Sequence, residues 1–197
     1  MKILLSFFCY FLLFSSCAAK AGAMKEEKHL WPSCIAGFCF DQQAQKESVL
    51  TDAYGLGYFE RQEEKSVHCY RIDDQNFLTF TIYNDNPPFV QTISLTNISL
   101  CKNSKKPVKS FKNIGTLEGV ALGDSYKKII KIYGEPQYIK EASDLDVLIR
   151  DTFPLSKLSM SFDKAVAYGP NKENDLLVTW FFLRNGIVSA MVMSISE

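Results

Sequence analysis

Two apolar runs, 176–184 and 187–195, are separated only by Asn185-Gly186. Both residues of that pair accept positive φ, which a type I′ turn demands, so the chain must close a β-hairpin there. A two-residue turn also sets the register. It places Arg184 opposite Ile187, Leu183 opposite Val188, Phe182 opposite Ser189, Phe181 opposite Ala190 and Trp180 opposite Met191. Cross-strand partners share a face. One face, with Thr179, Phe181, Leu183, Val188 and Ala190, is apolar and belongs under helices. The other mixes Trp180, Phe182, Arg184 and Met191 with serine. Trp and Arg dominate interface hot spots and Met adapts to a partner's shape, so these four are the candidate partner-binding residues of a concave sheet face. Burial of the same side chains as internal core is the competing reading.

Ahead of the hairpin, Gly123-Asp124-Ser125 opens a helix. Tyr126, Ile129, Ile130 and Tyr133 form its apolar stripe, Lys127, Lys128 and Lys131 face water, and Gly134 stops it. Alternation predicts strands over 145–150 and 158–162. The first half follows the same plan. A helix begins at Asp41 and carries Val49, Leu50, Ala53 and Tyr54 to Gly55, and strands follow over 66–72, 77–84 and 89–100. The expectation is an α+β fold of two similar helix-plus-antiparallel-meander repeats, over 34–101 and 114–197, joined by a Lys/Ser/Asn linker over 102–113.

The N-terminus has the tripartite pattern of a signal peptide: Lys2, an apolar run over 3–14, then small residues. The run is too short to span a bilayer. Two processing routes compete. Ala21-Gly22-Ala23 offers cleavage before Met24, giving a signal at 1–23 and a flexible tail over 24–33. Phe14-Ser15-Ser16-Cys17 resembles a bacterial lipobox, in which Cys17 would be lipidated and become the first residue. Cleavage before Met24 takes Lys2 and Lys20 from the 22 basic groups and leaves 20 against 22 acidic, a net charge of −2. That balance argues against a nucleic-acid partner, and the lysines at 102–112 read as a solvated linker. Membrane contact is expected only through an acyl group on Cys17.

With Cys9 and Cys17 set aside, Cys34, Cys39, Cys69 and Cys101 remain. An even number in an exported chain implies two disulfides in one of three connectivities. No close-spaced ligand pair supports zinc, and no metal or cofactor is expected.

The segment "GVALGDSYKKIIKIYGEP" resembles the helical signature of the SmpA/OmlA family of small outer-membrane lipoproteins. The tandem arrangement, with Val67-His68-Cys69-Tyr70 on a strand, resembles the beta-lactamase inhibitor protein family. The resemblance implies an exported, non-catalytic, protein-binding α+β module, on fold analogy.

Enzyme motifs are tested and fall away. Gly123-Asp124-Ser125 matches the start of GDS(L) hydrolases, but the only histidines, His29 and His68, lie upstream and no DxxH exists. Gly115, Gly119 and Gly123 lack the lysine of a phosphate loop. His68 beside Cys69 reads as a structural histidine. The pairs Asp144/Asp146 and Asp73/Asp74 sit where turns favour Asp. The expected partner is another exported protein. A small extracytoplasmic ligand-binding protein or a carboxylate-dependent hydrolase is the alternative.

Overall fold

Apolar residues at every second position dominate the chain, and they pair into one sheet. The computed structural model describes residues 32, 34–40, 47–55, 57–61, 64–85, 88–98, 100–101, 103–111, 114–145, 148, 162–169 and 177–195. The expected signal at 1–23, the lipidation candidate Cys17, nearly all of the 24–33 tail, the helix start at Asp41 and most of the strand expected over 158–162 lie outside these residues.

The elements in chain order begin with a hairpin, β1 (Cys34–Ile35) and β2 (Phe38–Cys39). Then come α1 (Glu47–Tyr54), β3 (Tyr58–Arg61), β4 (Lys65–Arg71), β5 (Phe77–Tyr83) and β6 (Phe89–Thr96). The second part holds α2 (Tyr126–Tyr133), β7 (Tyr138–Glu141), a 3-10 turn (Ala142–Asp144), β8 (Lys164–Tyr168), β9 (Leu177–Arg184) and β10 (Ile187–Ile195). Strands β3 to β10 form one antiparallel sheet in the order β3-β4-β5-β6-β10-β9-β8-β7. Its middle is the β6–β10 pair, with Leu95 opposite Met191 and Ile93 opposite Met193.

This corrects the α+β expectation of two helix-plus-meander repeats. The fold is sheet-rich: one continuous eight-stranded sheet carries the chain, and α1 and α2 are only eight residues each. The long alternating segments set this balance, because their apolar positions can be buried only on a sheet. A single core on one sheet face draws on both parts of the chain. It joins Phe80, Ile93, Leu95, Met191, Met193 and Phe181 to Leu50 of α1 and to Ile129 and Tyr133 of α2. The strand expected over 145–150 is also corrected, since Leu145 and Leu148 are helical.

Local chemistry explains the ends of α2. Ser125 is its N-cap residue without a side-chain cap bond. Asp124 instead turns its carboxylate back to accept from the Ala121 N–H and from Lys128 Nζ, each at 2.7 Å. Burial pushes that carboxyl up, but these bonds outweigh burial and hold it below the usual range. At the far end Gly134, at φ 79°, ends the helix.

Residues 103–111 of the expected linker are docked rather than free-standing. Val108 N–H donates to the Tyr54 carbonyl at 3.0 Å, and buried Phe111 stacks on Tyr54 with ring centroids 4.2 Å apart.

Both expected bridges form, as Cys34–Cys39 and Cys69–Cys101. The first closes the β1–β2 hairpin, whose turn residues Ala36 and Gly37 have φ of 54° and 78°. That hairpin is tied to the body by Ala36 N–H donating to the Gly115 carbonyl at 2.8 Å.

Candidate interaction surface

The β9–β10 hairpin turns at Asn185 and Gly186 with φ of 52° and 71°, as a type I′ turn requires. The pairs Arg184–Ile187 and Leu183–Val188 form as the turn dictates. Between Val188 and Ala190 the register then shifts, so Ala190 faces Phe182, Met191 faces Phe181 and Val192 faces Trp180. Ser189 is the extra residue of a β-bulge. Because strand side chains alternate, one inserted residue exchanges the faces of everything beyond it. Met191 therefore joins Phe181 in the main core, and Ala190 and Val192 join Trp180 and Phe182 on the other side.

The four candidate residues consequently form no exposed concave face. Met191 and Phe182 are each 0% exposed, and Trp180 and Arg184 are half-buried. On the Trp180 side of the sheet, Leu100, Leu145, Phe162, Phe182 and Val192 make a second apolar cluster, with Trp180 packed on its margin. At β9 and β10 an apolar cluster covers each face, so the free sheet face expected from the hairpin is corrected. No signal in the local sequence reveals the bulge, since Ser189 reads as an ordinary polar alternation.

What stays open is an edge. Among the described residues β7 pairs with β8 alone and ends the sheet, and all four of its residues are exposed. Tyr138 is 49% and Ile139 48% exposed, on opposite sides of the strand. Lys140 and Glu141 complete it. Glu141 accepts an ion-pair contact from Lys164 Nζ at 3.0 Å, which raises the lysine pKa, and the same ammonium lies 5.5 Å from the Tyr126 ring centroid. These contacts fix the open strand to α2 and β8. Sequence reasoning missed β7 because its four residues, just after Pro136, alternate too briefly to register.

The remaining candidates divide as follows. Ser125 is exposed at the start of α2 and bridges to Ile187 at the hairpin tip, while His68 is buried on β4 opposite Phe80. Ser125 and His68 thus stand on different elements, and His29 lies outside the described residues. Asp73 accepts from the N–H groups of Gln75 and Asn76 and from the Asn76 amide, which lower its pKa and assign it to a turn. Asp144 is exposed in the 3-10 turn, and Asp146 lies outside the described residues. Among the described residues there is no cluster of three His, Cys, Asp or Glu able to hold a metal, and no helix is long and apolar enough to cross a membrane.

A polar block lies on the Trp180 side of the sheet. Thr79, Thr81, Thr92, Ser94 and Thr96 are all buried on β5 and β6, and Thr79 faces Ser94 while Thr81 faces Thr92. The hydroxyls of Thr81 and Ser94 find no hydrogen-bond partner among the described residues. Buried polar groups are normally paired, so these two hydroxyls are exceptions within the described sheet.

Comparison with protein-family models, with curated proteins and with solved structures yields no match for this chain.

Proposed function

We propose that this chain is an exported, disulfide-stabilised, non-catalytic protein-binding module that works outside the cytoplasm, in a bacterial periplasm or on a membrane through an acyl group at Cys17. The observation that carries this reading is the wholly exposed edge strand β7, whose outer side meets no strand among the described residues and whose Tyr138 and Ile139 are exposed on its two faces. An extended partner segment adds to such an edge through main-chain hydrogen bonds, while side-chain contacts choose the partner. Natural sheets protect their edges, and β7 carries only Lys140 and Glu141 for that purpose. The two disulfides support an oxidising compartment. The resemblance of the segment around α2 to the SmpA/OmlA family points to the same class of activity, while the tandem arrangement that suggested the beta-lactamase inhibitor protein family is not the observed fold.

The test is affinity capture from the protein's own envelope extract, read by mass spectrometry beside an Ile139→Pro variant. Proline removes an N–H and its ring blocks strand addition. A partner captured by the natural chain and lost with Ile139→Pro, at unchanged melting temperature, supports the reading. Equal capture by both refutes it.

A second reading rests on Thr81 and Ser94. Two buried hydroxyls without partners among the described residues suit a small extracytoplasmic ligand-binding protein with an uncharged polar ligand.

A further inference from the structure

Between Cys101 and Glu118 the chain holds five lysines and no acidic residue. For a chain with 22 basic and 22 acidic groups this is a local excess of positive charge. Three of the lysines, Lys105, Lys106 and Lys109, are described and all three are exposed. Val108 stands among them at 81%, the most exposed large apolar side chain of the described residues.

The backbone under this crest is held at several points. Arg71 N–H donates to the Lys105 carbonyl at 2.8 Å, Val108 N–H donates to the Tyr54 carbonyl at 3.0 Å, and Phe111 is buried against Tyr54. A solvated linker has no need of such anchors. Nor does it gain from an apolar residue at its most exposed point. Asp73, the next acid along the chain from Arg71, is committed to its own turn.

We propose that Lys105, Lys106, Val108 and Lys109 form a docking site for an anionic phospholipid surface. The lysines meet headgroup phosphates and Val108 enters the interfacial layer. Charge complementarity supplies the attraction, because clustered lysines near an anionic bilayer each add to binding. The apolar tip distinguishes a bilayer from a dissolved polyanion, which offers Val108 nothing to bury in. The anchored backbone means that little ordering is lost on contact. Such a patch binds weakly alone and becomes a stable attachment when combined with one acyl chain. It acts independently of Cys17 and of the β7 edge.

The test uses the chain beginning at Met24, the product of cleavage after Ala23, which lacks Cys17 and so carries no acyl group. It is co-sedimented with vesicles of phosphatidylcholine alone and with vesicles of equal parts phosphatidylcholine and phosphatidylglycerol. The expected result is partition into the anionic vesicles only, weakening as salt is raised. Combined Lys105→Glu, Lys106→Glu and Lys109→Glu should lower that partition at least roughly tenfold. Val108→Ser should lower it about threefold and leave the salt dependence in place. Melting temperatures are compared throughout, and the single Lys106→Glu variant replaces the triple one if the latter unfolds. Equal partition into both vesicle types, undiminished binding by the charge-reversed protein, or retention on heparin or an acidic peptide without vesicle binding would each overturn the proposal.

Discussion

The Tyr70 hydroxyl donates a 2.7 Å hydrogen bond to the carbonyl of Gly55, 15 residues earlier in the chain. Gly55 follows the last residue of α1, so a phenol from β4 caps the end of a helix. The same contact occurs at α2, where Tyr168 of β8 donates to the Gly134 carbonyl at 2.8 Å. Helix C-termini leave carbonyls without partners inside the helix, and each of these is met by a strand side chain. Tyr70→Phe and Tyr168→Phe are each expected to cost roughly 1–2 kcal/mol, through loss of the bond and stranding of the carbonyl. The sites lie on opposite sides of the sheet centre, so urea titration of the double variant should give the sum.

The same tyrosines set the alkaline limit of the fold. Burial pushes Tyr70 up to about 12 and raises Tyr133 and Tyr168 as well, from an ordinary 10.0. A raised folded pKa means the native state holds its phenolic protons more tightly than the unfolded chain does. The stabilising contribution is complete below the unfolded value near 10 and is lost as pH rises through the folded values. Stability followed by circular dichroism should therefore be insensitive to these groups at neutral pH and fall steeply above about pH 10. The share of tyrosinate absorbance that comes from Tyr70, Tyr133 and Tyr168, taken as the difference from their Phe variants, should rise together with unfolding rather than before it.

Two glycines separate steric demand from backbone demand. A Cβ on Gly169 would lie 2.3 Å from the Leu177 carbonyl oxygen, and its φ is 129°. A Cβ on Gly186 would meet nothing within 4 Å, though φ there is 71°. Gly186→Ala is expected to cost about 1 kcal/mol through backbone conformation alone. Gly169→Ala must also push two strands apart, so its cost should be at least about 3 kcal/mol. Thermal melts of the two variants give the comparison.

The Trp180 side of the sheet behaves as interior. Phe182→Ala should destabilise by about 3–5 kcal/mol, and Met191→Ala by about 2–5 kcal/mol on the opposite face. Trp180→Ala should lower the melting temperature as well, because the indole packs on the apolar cluster. A Trp180→Ala protein with unchanged stability would contradict the packing described above.

The Cys69–Cys101 bridge closes a sequence separation of 32, against 5 for Cys34–Cys39. Longer loops lose more freedom when cross-linked, so paired Cys69→Ser and Cys101→Ser should cost about 3–4 kcal/mol and paired Cys34→Ser and Cys39→Ser less. Denaturant titration of both double variants under oxidising conditions checks the order.

Much of this architecture is legible in the residues. The hairpin follows from Asn185-Gly186, α2 from its Tyr126–Tyr133 stripe and Gly134, and β4 to β6 from their alternation. What escapes is non-local. Nothing near Ser189 announces a bulge, and that single inserted residue moves Met191 from the expected binding face into the core. The pairing of β6 with β10 joins segments about a hundred positions apart, which no window of local pattern contains. β7 and β8 are short, and their place in the sheet depends on β9 being there to receive them. The candidate surface shifted for the same reason: faces are assigned by register, and register is settled by tertiary contacts.

The β6–β10 junction also dictates when folding can finish. Residues 187–195, close to the C-terminal end of the chain, fill the centre of the sheet rather than its rim. A growing polypeptide that still lacks them has two unfinished blocks with nothing to join them, and closing the gap brings together partners far apart in the chain, a slow step.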